Sequence, residues 1–257
     1  MDLIVLGAAP AYTNRPGATS ASYLVRAKGA ALLLDLGQGS FTNLASTLEP
    51  SGLTAVVISH LHPDHFVDLV PLRHYLRFEF DPPRRIRVLG PAGLGDRLDA
   101  LHAAPGFAAT SLDVERLSAG AGRIGPFEIE ARLVTHTDES YAVRVSLANA
   151  AGLAAGVDPA PGLVYSGDCG RAEDLVPLLR PGDTLLSEAS FGAGPVPEGA
   201  EHLTAADAGH AATSGRAARL LLTHIQMGYS RSDALAAAQS AFAGPVQFVT
   251  EGDRFEV

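Results

Sequence analysis

The chain has no tryptophan, two methionines and a single cysteine, Cys169, among its 257 residues. One thiol excludes an internal disulfide, so no covalent frame stands in for a packed core. No segment approaches the run of about eighteen apolar residues that a membrane span needs. Nor is there an excess of base. With 19 Lys and Arg against 28 Asp and Glu the net charge is −9, which argues against a broad nucleic-acid surface. The opening residues Met1-Asp2-Leu3-Ile4-Val5 lack the basic flank and long apolar stretch of a secretory signal, so the expected compartment is cytoplasmic. What the chain does have is bulk. With 47% hydrophobic residues and no low-complexity break, residues 1–257 read as one domain whose core leans on Leu, Val and Ala.

The most informative stretch is His60-Leu61-His62-Pro63-Asp64-His65, three imidazoles and a carboxylate within six residues. An apolar run, Thr54–Ser59, leads into it and an apolar-periodic segment, Phe66–Phe80, leads out, which places it where a strand passes into a helix. On the extended side His60 and His62 point the same way, because side chains alternate along a strand. Asp64 and His65, at the helix mouth, face a second point, and two-metal hydrolases hold their ions about 3.5–4 Å apart. A solvated turn that happens to carry three histidines does not account for this spacing. Three more apolar runs end on ligand-type residues: Leu133-Val134-Thr135-His136, Leu163 through Ser166-Gly167-Asp168, and Leu220-Leu221-Leu222-Thr223-His224. Taken singly, each is more simply a surface residue at a strand end. Together they complete a set in which His60, His62 and His136 serve one metal, Asp64, His65 and His224 serve another, and Asp168 bridges, leaving one bridging position for a hydroxide.

The rest of the chain alternates strands and helices. Leu3–Leu6, Ser22–Arg26 and Ala31–Leu36 predict an antiparallel meander. Phe41–Leu48, Leu94–His102, Leu175–Leu179, Ala205–Thr213 (capped by Thr204) and Ser232–Phe242 (capped by Ser232) predict helices. Strands are predicted at Arg85–Leu89, Phe127–Thr135, Tyr141–Leu147, Gly162–Ser166, Thr184–Ser187 and Arg219–Thr223, with Val246–Val249 and Arg254–Glu256 closing the chain as a hairpin. Strands and helices interspersed in both halves imply two sheets covered outside by helices.

These motifs, in this order, resemble the metallo-β-lactamase-fold hydrolases, and within them the ribonuclease Z-like branch. The resemblance covers nearly the whole chain and implies a four-layer αββα sandwich with a dinuclear site along one edge of the sheets. Ser187-Glu188-Ala189-Ser190-Phe191 is similar to that branch's glutamate-bearing strand end, and His202-Leu203-Thr204 to its His-Ser-Thr element, with Leu203 in place of Ser. Cys169 stands beside Asp168 where the family often has Thr. The resemblance makes His202 a general acid and Glu188 its orienting partner, while Asp64, the helix-mouth carboxylate, can hold a metal and also orient the water or accept its proton. It also implies a homodimer and two divalent ions, zinc first and manganese tolerated.

The implied reaction is hydrolysis of a small phosphodiester by a metal-bridging hydroxide. Members that mature transfer RNA usually carry a long arm between the third motif and the bridging aspartate. Here 31 residues separate His136 from Asp168 (168 − 136 − 1), and Asn149–Gly162 contains no Lys or Arg. That interval cannot grip a phosphate backbone by charge. The segment Glu139-Ser140-Tyr141 resembles that of short, armless members similar to cyclic-nucleotide phosphodiesterases, so a 3′,5′-cyclic nucleotide is the first candidate substrate and nucleic acid is not an expected partner. Arg84, Arg85 and Arg87 are the argument for RNA, and a transfer-RNA 3′ endonuclease is one alternative. A thioester or lactam hydrolase of the same fold is the other, although the thioesterase has no evident use for the Glu188 and His202 pair and the zinc-dependent lactamases usually lack the Asp64-type ligand.

Overall fold

The computed structural model describes residues 1–148 and 160–257. Its strands form two seven-stranded sheets. The first holds β1 (Asp2–Gly7), β2 (Ser22–Ala27), β3 (Ala30–Leu34), β4 (Ala55–Val57), β5 (Ile86–Gly90) and β6 (Leu112–Arg116), in that spatial order, with β14 (Arg254–Glu256) outside β1. The second runs from β7 (Gly120–Ile124) through β8 (Phe127–Leu133), β9 (Tyr141–Leu147), β10 (Leu163–Tyr165), β11 (Thr184–Glu188) and β12 (Arg219–Thr223) to β13 (Val246–Phe248).

Most strands are buried on both faces, which is why they read as unbroken apolar runs. Leu3 and Val5 point into the layer between the sheets, where they join Phe127, Val143, Val145 and Leu221. Their neighbours Ile4 and Leu6 point outward under α1 (Ser40–Thr47), α3 (Leu69–Phe78) and α4 (Leu94–Leu101), which contribute Leu44, Leu72 and Leu98. On the second sheet Leu220 and Leu222 meet α6 (Ala205–Ser214) and α7 (Arg231–Ala241). The small faces of Ala208, Ala212, Ala234 and Ala238 let those two helices pack closely. This is the predicted αββα sandwich. No helix among the described residues is long and apolar enough to cross a membrane.

Several expectations require correction. The last two strands do not form a hairpin: β13 pairs parallel with β12 in the second sheet, and β14 pairs antiparallel with β1 in the first. The cap of α7 is Ser230, whose hydroxyl accepts from Asp233 N–H, two residues before Ser232. The segment after the histidine motif divides into α2 (Pro63–Phe66) and α3, and the next short helix, α5, spans Ala172–Leu175 instead of Leu175–Leu179. Strands β6 and β7 were not predicted. Each lies at one edge of its sheet and is largely exposed, β6 rich in charged residues and β7 in Gly and Ala, so they lack the apolar pattern that marks the inner strands. The interval Asn149–Gly162 lies mostly outside the described residues.

What positions the site is the parallel run in each sheet. Strands β3 to β6 are parallel, as are β10 to β13, so the carboxyl ends of β3, β4, β10, β11 and β12 converge. Asp35, His60, Asp168, Glu188 and His224 stand at or just beyond those five ends, the place where such sheets present chemistry.

Candidate metal centre and its proton donor

All seven predicted ligands come together. His60, His62, His136 and Asp168 each offer a ligand atom within 4.8 Å of the others, and Asp64, His65 and His224 form a second such group. Asp168 joins them, with Oδ2 3.7 Å from both His60 Nε2 and His136 Nε2 and 3.4 Å from His65 Nε2. Its Oδ1 lies 3.6 Å from His224 Nδ1. His62 presents Nδ1, 3.1 Å from His136 Nε2. Asp64 Oδ2 lies 3.2 Å from His224 Nε2.

Hydrogen bonds on the far side of three rings decide which nitrogen faces the centre. His65 Nδ1 donates to Asp35 Oδ2 at 2.7 Å, His136 Nδ1 to the carbonyl of Glu201 at 2.8 Å, and His60 Nδ1 to Ser59 Oγ at 3.1 Å. The Ser59 hydroxyl in turn donates to Asp35 Oδ2 at 2.7 Å. In its neutral form each ring therefore carries a lone pair on the Nε2 that points inward, the arrangement in which histidines bind metals. Among the described residues, the buried polar atoms with no hydrogen-bond partner include His60 Nε2, His65 Nε2 and Asp168 Oδ1. Buried polar atoms are rarely left unpaired. Three lone-pair atoms orphaned at one point fit divalent cations, and the His and carboxylate donors suit zinc or manganese.

The charges of the side chains themselves show where a proton stands in the place such an ion would take. Burial would raise the Asp168 carboxyl, but the facing His224 and His65 outweigh it and hold it well below the usual carboxylate range. Burial works against the His65 imidazolium, yet Asp168 and Asp35 carry it well above its ordinary value, so Nε2 holds a proton that a bound cation would displace. Burial together with the adjacent His65 pushes His60 well below.

Asp35 was missed by the sequence reading. It is fully buried and has a positive φ of 58°. Besides His65 and the Ser59 hydroxyl it accepts from Ser59 N–H and from Tyr165 O–H, both at 2.7 Å. The available signal was a lone carboxylate closing the apolar run Ala31–Leu34.

The other predicted pair is also in place. His202 Nδ1 is 2.9 Å from Glu188 Oε1 and 3.9 Å from Asp168 Oδ2. Burial would lower the His202 imidazolium, but the hydrogen bond and charge of Glu188 reverse that and raise it to about 9, so it carries its proton at neutral pH. The predicted Thr204 cap, two residues after His202, is present as a full capping box with Asp207, which fixes the start of α6. Cys169 contributes its backbone N–H to Glu188 Oε1 at 2.7 Å, while burial raises its thiol and makes it a poor nucleophile.

Residues 32–225 match the Beta-lactamase superfamily domain. The protein ML1173 of Mycobacterium leprae is 34% identical over 250 residues, covering 94% of this chain and 84% of that protein. A ribonuclease Z of Metallosphaera sedula is 25% identical over 281 residues, covering 95% and 94%. The crystal structure of the metallo-beta-lactamase fold protein YhfI from Bacillus subtilis superposes with a TM-score of 0.84 at 23% identity, over 100% of this chain and 98% of that one. With its two sheets, the converging strand ends and the extent of these matches, the chain belongs to the beta-lactamase superfamily and has the metallo-beta-lactamase fold.

Proposed function

We propose that the protein is a metal-dependent hydrolase acting on small phosphodiesters, with a 3′,5′-cyclic nucleotide as the first candidate. The observation that carries the choice of reaction is the His202–Glu188 pair, 3.9 Å from the Asp168 carboxylate. A phosphodiester that expels an alkoxide needs a proton donor at the leaving oxygen, and a histidine protonated at neutral pH supplies it. Similarity to ribonuclease Z supports the same phosphoryl-centred choice.

His60, His62 and His136 would hold one divalent ion, Asp64, His65 and His224 the other, and Asp168 both. Bound there, such ions supply Lewis-acid polarisation of the phosphoryl oxygens and a lowered pKa for water. The protein's own groups do the rest. Asp64 keeps Oδ2 toward His224 and takes no hydrogen bond on Oδ1 among the described residues, so it is free to orient the attacking water and accept its proton. Glu188 holds the His202 ring in place and keeps it protonated. His202 delivers its proton to the departing oxygen.

A cleft of about 460 Å³ opens beside His62, lined by Leu61, Pro91, Arg97 and Thr137 among others, and it accommodates the organic part of a small substrate. Glu139 braces one wall, accepting from Ala92 N–H, Arg116 Nε and Tyr141 O–H. Two of the three arginines that argued for RNA are already paired: Arg85 with Asp113, and Arg87 with Glu115 at 2.7 Å. We keep the homodimer as part of this reading, to be checked by light scattering.

The test is a substrate panel run on zinc-loaded and manganese-loaded wild type and on His202→Ala. Turnover is expected on cyclic nucleotides and aryl phosphodiesters, with little on a precursor transfer RNA or a thioester. His202→Ala should slow cyclic-nucleotide hydrolysis by about 10²–10⁴-fold, the contribution of a positioned general acid. It should barely affect a 4-nitrophenyl diester, whose leaving group departs without a proton. Efficient transfer-RNA processing would overturn the substrate choice, and equal losses on both diesters would remove His202 as the donor.

A further inference from the structure

Ser190, fully buried, stands where the proton-donor pair meets the metal-ligand set. Its hydroxyl lies 2.5 Å from Glu188 Oε2, 3.3 Å from His202 Nδ1 and 3.1 Å from both His224 Nδ1 and the His224 carbonyl. A hydroxyl has one proton to give. Between a carboxylate oxygen at 2.5 Å and a carbonyl at 3.1 Å, the charged and nearer acceptor takes it. Glu188 is then saturated. Its Oε2 also accepts Ser190 N–H at 3.1 Å, and its Oε1 accepts Cys169 N–H at 2.7 Å and His202 Nδ1–H at 2.9 Å.

With its own proton committed, the Ser190 oxygen has lone pairs left to offer. The Nδ1–H of His202 is already engaged by Glu188, so the donor that remains is Nδ1–H of His224. The competing acceptor, Asp168 Oδ1, is farther away at 3.6 Å. In the neutral ring this leaves the lone pair of His224 on Nε2, 3.2 Å from Asp64 Oδ2. Two acceptors then face each other across a contact that a cation resolves. The same device serves the first sheet, where Ser59 passes a proton to Asp35 and accepts one from His60.

We infer that Ser190 is a positioning residue that holds His224 in the Nδ1–H tautomer for metal ligation, and that its one hydroxyl ties this ligand to the Glu188–His202 donor pair. The inference rests on the two-ion reading above. It makes Ser190 matter to metal affinity as well as to proton delivery, which a residue that only filled space would not.

The test titrates Zn²⁺ against a chromophoric chelator in wild type, Ser190→Ala and Ser190→Thr, with thermal melting of each protein alongside. Wild type should bind two ions. Ser190→Ala should bind one of the two about 10–100-fold more weakly, the usual effect of losing the outer partner of a ligating histidine, and Ser190→Thr should recover most of the loss. A structural role alone would lower the melting temperature and leave both affinities in place. Wild-type affinity for both ions in Ser190→Ala overturns the role of Ser190 while the two-ion reading survives. Fewer than two ions in the wild type overturns that reading and the inference with it. Nitrogen-15 NMR of the zinc-loaded wild type decides independently of how the variants fold: His224 protonated on Nδ1 is expected, and His224 protonated on Nε2 sinks the inference.

Discussion

Two buried carboxylates stand among the same histidines, and they differ in how their oxygens are used. Asp35, at the end of β3, accepts four hydrogen bonds at 2.7 Å. Asp168, beyond β10, has no hydrogen bond on Oδ1, and its Oδ2 sits 3.4–3.9 Å from four histidine nitrogens, longer than good hydrogen bonds. The saturated carboxylate orients its neighbours and belongs to the fold. The unsaturated one keeps lone pairs that no hydrogen bond uses, which is what the proposed role of shared metal ligand would require. Both are aspartates at apolar strand ends; only their surroundings separate structure from chemistry.

The largest test of that contrast is Asp168→Ala. Both metals should be lost or loosened by more than the roughly 100-fold upper range for an outer partner, and turnover should fall with them. Elemental analysis measures this. His74→Ala is the control, since His74 packs against His102 and Phe107 outside the site and should keep two ions. A single ion in the wild type would break the comparison at its root.

Asp35→Ala should weaken metal binding by about 10–100-fold through His65. In the metal-free protein the order should reverse, with Asp35→Ala costing more stability than Asp168→Ala. It strands the Ser59 N–H and hydroxyl and the Tyr165 hydroxyl, each worth about 1–3 kcal/mol when buried and unpaired. Thermal melts of the two metal-free variants decide it. A larger loss for Asp168→Ala would mean that Asp168 is the structural one.

The smallest effect is on pH. The His202 imidazolium is raised to about 9 from an ordinary 6.5. Its stabilisation of the metal-free fold is thus complete below 6.5 and lost as pH rises through about 9. Glu188→Gln should flatten that decline, read as melting temperature against pH. Parallel curves for the two proteins would uncouple His202 from Glu188.

The sequence by itself determined the architecture and which histidines and carboxylates gather at the strand ends. Runs such as Leu220-Leu221-Leu222 announce strands buried on both faces, and His60 to His65 are so closely spaced that local geometry alone brings them together. Local pattern failed where pairing is remote: Val246–Phe248 and Arg254–Glu256 look like a hairpin, yet they close different sheets because each finds an open parallel or antiparallel edge elsewhere. The roles of Asp35 and Ser190 were decided only in three dimensions. A carboxylate or hydroxyl in a sequence has no fixed proton partner. Which lone pair stays free depends on donors brought from residues up to 130 positions away, as with Tyr165 and Asp35, and packing of the sandwich sets that.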